Sequence, residues 1–545
     1  MAHATWLTVP LINLDVPLDQ QVQAARAAGA DVIELRLDCL RDPEAVANLL
    51  AGPRTVPFIL TIRTRAEGGQ WDGDDAARGA LLERLGALRP GYIDLEYASW
   101  VRAPILRRVA EQARAGGNQL ILSHHDVHGT PGDLDGVLAP LLASSADVVK
   151  LAFAAHDAAD TWRAIDVLRR HAADRPMVAL SLGDAGLLTR VLAGKFGARL
   201  TFAALRPGAE SAPGQPTLAE LLNGYHWRDV GPRTRVYGVV GWPVAHSRSP
   251  ALHNAAMAAT HIDGVMVPMP VAPSSADWAA FIDYLTAHPE FDVQGLSITI
   301  PHKEHALRWL HERVFDVTDV ARRAGAVNTL TRAGPARWTG DNTDVAGASA
   351  ALRAGGLDIL ESTGRRAAAV LGAGGAARAV IVGLQDRGWN VTVFNRTADR
   401  AGALAREFRC QWQPWEERVT TYADLVVNCT SVGMEPHADE SPLPADALRP
   451  EMLVFDAVYT PAETRLLREA RVRGARVVSG VEMFRAQAAA QFERWHRRTV
   501  PLELLRAALD ADALTPGRPP ASTARGRETK SSGWSRRSPR SGDGR

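Results

Sequence analysis

The stretch ADVVKLAF, residues 146–153, is an apolar run that reads as a buried strand, and it carries Lys150 at its centre. It is one of eight comparable runs in the first 224 residues: WLTVPLI, VIELRLD, PFILTIR, YIDLEY, QLILSHHD, DVVKLAF, MVALSLG and RLTFAAL. Between them, stretches such as DAARGALLERLGAL and TWRAIDVLRRHA repeat apolar residues at helical spacing. Eight strand–helix repeats in this length predict an α/β fold, a (β/α)8 TIM barrel over residues 1–226, whose chemistry gathers at the C-terminal strand ends. An ammonium inside an apolar barrel has its charged form disfavoured, and a neutral amine can attack a ketone to form a Schiff base. The plain alternative is a strand-edge lysine whose stem snorkels to water.

Residues 227–235, WRDVGPRTR, are polar, contain Gly and Pro, and read as a linker. A second alternation starts at VYGVVGW and runs to about residue 480, with one glycine-rich strand-to-helix turn, VLGAGGAARA. That pattern predicts a two-part doubly wound α/β arrangement. A catalytic unit is expected over 235–345 and a Rossmann nucleotide unit over 346–480, with a closing helix over 481–510 that returns to the catalytic unit. Residues 516–545 are dominated by Pro, Gly, Ser and Arg, a composition expected to be disordered.

The fifth run ends in SHHDVHGTP, which sets His124, His125, Asp126 and His128 where a barrel collects catalytic groups. Imidazole is the natural proton carrier near neutral pH. A metal cluster is the rival reading, disfavoured because adjacent histidines in a turn seldom converge and no acidic ligand set accompanies them. On their own, Glu34, Arg36 and Asp38 of ELRLD could be inner-face salt bridges, and TIRTRAEGG a solvated loop. As an ordered set, ELRLD, TIRTRAEGG, YIDLEY, SHHDVHGTP, the strand lysine, GLLTRVLAGKFGARLTFAAL and ESAPGQPT resemble type I 3-dehydroquinate dehydratase over nearly the whole first 225 residues. The resemblance implies that Lys150 forms an imine with the substrate ketone and that His125 removes the adjacent proton and later protonates the departing hydroxyl. It further implies that Glu67 orients His125, and that Glu34, Arg36, Arg63 and Arg190 hold substrate, Arg190 at the carboxylate. Ser211 and Gln215 match a closing loop. His124 and His128 are left as structural or supporting groups.

In the second half, Gly372, Gly374 and Ala377 make a G-x-G-x-x-A turn between a predicted strand and helix. Tight helix–sheet packing explains such a turn as well as a dinucleotide does. The next strand, NVTVFNRTADR, sharpens the reading: Asn395, Arg396 and Thr397 stand where an acidic residue would meet ribose hydroxyls, with Arg400 one turn later. Arginine there suits a 2′-phosphate, so NADP(H) is the expected cofactor, with Gly372, Ala373, Gly374, Gly375 and Ala376 as its binding turn. GWPVAHSRSPALHN, SITIPHKEHA, AGAVNTL and GDNTDVAG each have ordinary readings as turn serines, a solvated lysine or an N-cap aspartate. As an ordered set with NCTSVGM, FDAVYTPAETRLL and GVEMFRAQAAAQFERW, they resemble shikimate dehydrogenase over roughly residues 235–505. That resemblance implies that Ser247 and Ser249 bind the shikimate carboxylate, that Thr299, Asn328, Tyr459 and Gln487 complete the pocket, and that Lys303 and Asp344 form the catalytic pair.

Hydrophobic content of 46%, charged content of 23% and a formal net charge of +1 over 545 residues give no reason to invoke nucleic acid or anionic lipid. Small molecules are the expected partners, and the two resemblances imply 3-dehydroquinate, 3-dehydroshikimate and shikimate. Cys39, Cys410 and Cys429 show no CxxC spacing, so neither a disulfide framework nor a metal site is expected, and a cytoplasmic location fits. No long apolar window suggests a membrane span, and the first residues do not read as a secretion signal. Together the two resemblances imply a bifunctional enzyme that dehydrates 3-dehydroquinate and reduces the product with NADPH. Open alternatives are quinate as the substrate of the second half, a non-catalytic sensor of pathway intermediates, and another Schiff-base barrel enzyme such as an aldolase. The last would not explain ESAPGQ or the attached reductase.

Overall fold

β1 (Trp6–Leu11), β2 (Val32–Arg36), β3 (Phe58–Thr61), β4 (Gly91–Glu96), β5 (Gln119–Asp126), β6 (Val148–Ala154), β7 (Met177–Leu182) and β8 (Leu200–Phe202) pair in parallel, in the order β7-β6-β5-β4-β3-β2-β1-β8. At the seam between β7 and β8, Arg199 N donates to Met177 O at 2.7 Å. The computed structural model describes residues 5–245, 247–420 and 422–514, and the stretch expected to be disordered lies outside them. Two-residue alternation decides what each strand buries. On β6, Val149, Leu151 and Phe153 join the apolar layer beneath the helices, while Val148 and Ala152 belong to a separate cluster inside the barrel. Val32, Ile59, Ile121, Val178 and Leu200 fill the same interior. Polar interior residues lie one inward step further along, toward the strand C-termini: Glu34 after Val32, Asp94 after Tyr92 and Lys150 after Val148.

β9 (Arg235–Gly241), β10 (Gly264–Pro270), β11 (Val293–Ile298), β12 (Asp316–Val317), β13 (Thr329–Gly334) and β14 (Arg337–Asp341) form a mixed sheet, ordered β10-β9-β11-β13-β14-β12. β15 (Ala367–Leu371), β16 (Asn390–Phe394), β17 (Gln411–Gln413), β18 (Leu425–Asn428), β19 (Leu453–Asp456) and β20 (Arg476–Ser479) form a parallel sheet, ordered β17-β16-β15-β18-β19-β20. The strand order reverses between β15 and β18, the switch point at which such sheets bind ligands. The helix Gly480–His496 then runs back to the mixed sheet. Its Gln491 Nε2 donates to Ser297 Oγ and Thr329 Oγ1 at 3.0 Å each, and Trp495 Nε1 donates to Leu330 O at 3.0 Å.

The TIM barrel and the doubly wound sheet expected from the sequence are both present. The 227–235 stretch is more firmly packed than its polar composition suggests, since Trp227 is only 4% exposed. A continuous apolar layer runs from the barrel helices into the mixed sheet, from Leu7 to Trp338. Among the described residues no helix is long and apolar enough to cross a membrane.

Candidate active sites

Lys150 stands where side chains from alternate strands meet. Its Nζ donates to Asp94 Oδ2 of β4 at 2.8 Å, lies 3.8 Å from Glu34 Oε1 of β2, and is 4.6 Å from the ring centre of Phe202 on β8. This is the layered filling of a closed barrel, with one layer drawn from every second strand. The expectation of a lysine among apolar neighbours is therefore corrected. Val149 and Leu151 adjoin it in sequence but point the opposite way, and its neighbours in space are carboxylates and one aromatic ring.

Asp94 was not among the residues singled out from the sequence, yet it is the hub of the cluster. Fully buried, it accepts from Lys150, from Arg63 Nη2 at 2.9 Å and from Ser123 Oγ at 2.6 Å. Burial alone would raise its carboxyl, but Arg63 and Lys150 outweigh burial and hold it below the ordinary carboxylate range. Glu96, on the same face, accepts from Thr64 N at 2.7 Å, Ser99 Oγ at 3.0 Å and Arg78 Nη1 at 3.2 Å. The alternation that picks Glu34 and Arg36 out of ELRLD applies equally to YIDLEY and would have found both. Arg63 also lies 3.6 Å from Glu67 and from Glu96. Arg36 makes a two-pronged contact with Asp38, at 3.0 and 2.8 Å.

His125 N and Nδ1 stand 3.0 and 2.9 Å from the same Glu67 oxygen. With Nδ1–H donating to Glu67, Nε2 keeps its lone pair and is the basic atom. Burial, reinforced by Arg63 and Lys150, holds the imidazole well below its ordinary value, and burial pushes Glu67 up to about 8. Both directions favour a pair without net charge near neutral pH. His124 turns away to meet Phe153 edge-on at 5.9 Å, and His128 is exposed. Arg190, on the helix Leu187–Val191, is buried and donates to Ser181 O at 2.6 Å and Gly186 O at 2.9 Å. The loop bearing Ser211 and Gln215 closes on itself through Ser211 N to Gln215 Oε1 at 2.7 Å, and docks just past the end of β7 through Gly183 N to Pro213 O at 3.0 Å. Gly214, at φ +75°, allows this approach, because a Cβ there would lie 1.8 Å from Gly183 O.

A second cluster lies between the mixed and parallel sheets. Lys303, at the start of the helix Lys303–Glu312, donates to Asp344 Oδ2 at 2.5 Å. Asn342 caps the helix Thr343–Ala354 by accepting from Asp344 N at 3.1 Å, so Asp344 occupies the first turn and its carboxylate is free to meet Lys303. Asn328 braces the same turn by accepting from Thr343 N at 2.8 Å. Ser249 opens the helix Ser249–Ala259, and its N–H donates to Ser247 Oγ at 3.3 Å. Thr299, just past β11, donates its N–H to Val240 O at 2.9 Å. Tyr459 stacks on Phe484 at 4.5 Å; burial pushes its hydroxyl up, and the Arg248 charge opposes that. Gln487, one turn beyond Phe484, packs against Gly347 on the Asp344 helix, where a Cβ would come within 2.8 Å.

After β15, Gly372 has φ +111° and its missing Cβ lets the Cys429 backbone approach. Among the described residues nothing lies within 4 Å of the Cβ position of Gly374, and that of Gly375 is 3.0 Å from Lys303 Cδ. The helix Gly375–Gln385 therefore aims its first N–H groups, at Gly375 and Ala376 behind Ala373, into open space beside Lys303. Past β16, Asn395 Nδ2 donates to Thr397 O at 3.0 Å, and Arg396, Thr397 and Arg400 are exposed. Open glycine turn, bare helix start and exposed arginines fit a phosphorylated dinucleotide.

Residues 9–232 match the family described as type I 3-dehydroquinase, residues 239–330 the shikimate dehydrogenase substrate binding domain, and residues 356–441 the shikimate / quinate 5-dehydrogenase family. The chain is 37% identical over 505 residues to the bifunctional 3-dehydroquinate dehydratase/shikimate dehydrogenase, chloroplastic, of Arabidopsis thaliana, covering 89% of this chain and 80% of that protein. It is 47% identical over 266 residues to the shikimate dehydrogenase (NADP(+)) of Acidiphilium cryptum, covering 48% of this chain and 90% of that protein. To the enzyme of that name from Synechocystis sp. it is 40% identical over 290 residues, 51% of this chain and 95% of that protein. The chain belongs to the family of bifunctional 3-dehydroquinate dehydratase/shikimate dehydrogenase enzymes.

Proposed function

We propose that residues 1–226 dehydrate 3-dehydroquinate to 3-dehydroshikimate and that units 235–345 and 346–480 reduce this product to shikimate with NADPH, the 481–510 segment belonging with the first of these units. The observation that carries the reading is the convergence of Lys150, Asp94 and the His125–Glu67 pair inside one barrel. Lys150 Nζ adds to the substrate ketone and water leaves, giving a protonated imine that withdraws electrons from the neighbouring carbon. His125 Nε2 takes the proton from that carbon and returns one to the departing hydroxyl, with Glu67 fixing the ring. Hydrolysis of the imine frees the product and restores Lys150. Glu34, Arg36 and Arg63 hold substrate, Arg190 holds its carboxylate, and the Ser211–Gln215 loop excludes water.

In the second site, Gly372, Ala373, Gly374, Gly375 and Ala376 hold the cofactor, with Asn395, Arg396, Thr397 and Arg400 at its 2′-phosphate. NADPH supplies the hydride. Lys303, oriented by Asp344, stabilises negative charge at the reduced oxygen and donates the proton it needs. Ser247 and Ser249 hold the carboxylate, and Thr299, Asn328, Tyr459 and Gln487 complete the pocket. The paired serine hydroxyls with Thr299 favour shikimate over quinate, in keeping with the NADP-dependent shikimate dehydrogenases this half is similar to.

The test is to supply 3-dehydroquinate and NADPH and follow shikimate formation. Lys150→Ala should stop it, with 3-dehydroshikimate restoring it; Lys303→Ala should leave 3-dehydroshikimate accumulating. Shikimate formed from 3-dehydroquinate by Lys150→Ala, or faster NAD-dependent oxidation of quinate than NADP-dependent oxidation of shikimate, would count against the reading.

A further inference from the structure

The helix Leu187–Val191, which carries Arg190, is five residues long, too short to hold itself in place. Part of its support comes from outside the barrel strands. Trp227 Nε1, in the connecting stretch, donates to the Arg190 carbonyl at 3.0 Å, and Thr201 Oγ1 of β8 donates to the same oxygen at 3.2 Å. Gly194 lies so close to the connecting stretch that a Cβ there would be 2.6 Å from Val230 O. Lys195 has a side chain only 4% exposed; its Nζ donates to Thr234 O at 2.7 Å, Pro232 O at 3.3 Å and Asp292 Oδ2 at 3.3 Å. Asp292 belongs to the dehydrogenase half. Its neighbour Phe291, fully buried, stacks on Trp162 at 4.7 Å and meets Phe196 edge-on at 6.2 Å. The Arg190 helix itself packs on β10.

We propose that the connecting stretch and the Phe291–Asp292 corner of the dehydrogenase half brace the Arg190 helix, making Trp227, Lys195 and Asp292 positioning residues of the dehydratase. The inference rests on the reading of Arg190 as the group that holds the substrate carboxylate. A two-pronged contact works only within about half an ångström of the right geometry. All three residues reach Arg190 through its backbone or the turn that follows it, so loosening them shifts the guanidinium without touching Lys150 or His125. Of these braces, the Asp292 and Phe291 contacts come from the dehydrogenase half, a support that residues 1–226 alone would lack.

The test uses the full chain, with dehydrogenase kinetics as the internal check on folding. Trp227→Phe keeps an aromatic ring at this buried site and removes the indole N–H with its hydrogen bond, together with part of the ring volume. It should raise the dehydratase KM for 3-dehydroquinate about three- to tenfold, with kcat within about twofold and dehydrogenase constants unchanged. Lys195→Met should do the same more strongly, and Lys195→Arg should recover most of the loss. In an Arg190→Lys background the Trp227→Phe effect should shrink below about twofold, because both act through one contact. If Arg190→Lys leaves KM unchanged, the reading of Arg190 fails. If it raises KM while Trp227→Phe does not, or if Trp227→Phe acts equally in both backgrounds, the bracing is overturned. With unchanged dehydrogenase constants as proof that Trp227→Phe has folded, this cycle decides the matter even if Lys195→Met fails to fold.

Discussion

Replacing Asp94 by Asn removes one negative charge from a fully buried point that Lys150 Nζ, Arg63 Nη2 and Ser123 Oγ approach to 2.8, 2.9 and 2.6 Å. The amide oxygen still accepts from one or two of these donors, but the amide NH2 must then face another. Two buried cations are left without their shared counter-charge. Removing one partner from a buried pair costs about 3–5 kcal/mol. At roughly 2–4 °C per kcal/mol for a domain of this size, the barrel's thermal transition should fall by about 6–20 °C. The sign with pH follows from the direction in which Asp94 is shifted. Its folded value lies below the unfolded one, so its contribution is full above about pH 4 and is lost as the pH falls further. The gap between wild type and variant should therefore narrow in acid. The assay is residual dehydratase activity after heating, read beside residual dehydrogenase activity so that the two halves are followed separately. The variant should also form the borohydride-trapped adduct at least tenfold more slowly, since Lys150 loses the partner that aims it. A transition within about 2 °C of wild type at pH 7, together with an unchanged trapping rate, would refute the reasoning.

Three further outcomes follow from the same geometry. With the neutral His125 ring proposed as the base and burial holding it well below its ordinary value, the acid limb of dehydratase kcat/KM should lie below pH 6.5; a limb at or above that value contradicts the assignment. Arg396→Ala should raise the KM for NADPH about ten- to a hundredfold through loss of charge-assisted bonds, while barely changing the KM for NADH; equal effects on both cofactors would remove Arg396 from the 2′-phosphate. Lys303→Met should lower dehydrogenase kcat by about a hundredfold or more and leave the dehydratase constants intact, and a small effect on kcat would point to a binding role instead.

Much of this was legible in the sequence because parallel strands buried on both faces read as nearly continuous apolar runs, and eight of them spaced by helical patterns leave few topologies open. Lys150 stood out for the same reason: it interrupts such a run. What surrounds it was not legible. Sequence neighbours of a strand residue face the other way, so Val149 and Leu151 say nothing about its environment, while Asp94, Glu34 and Phe202 come from three other strands whose levels are set by barrel closure. Asp94 was open to discovery by alternation within YIDLEY, but its partners were not. Composition misled at Trp227, where one large apolar residue among polar neighbours anchors a stretch that otherwise reads as linker. At GDNTDVAG the cap belongs to Asn342, and only the fold shows that this leaves the Asp344 carboxylate for Lys303.

The proposed dehydratase chemistry stands or falls with Lys150 as its nucleophile. The most direct measurement is incubation of the full chain with 3-dehydroquinate and borohydride, followed by peptide mapping. One reduced adduct is expected on the peptide containing Lys150, with no adduct and no dehydratase activity in Lys150→Ala and intact dehydrogenase activity in both proteins. Dehydratase activity that persists while Lys150 stays unlabelled would contradict it.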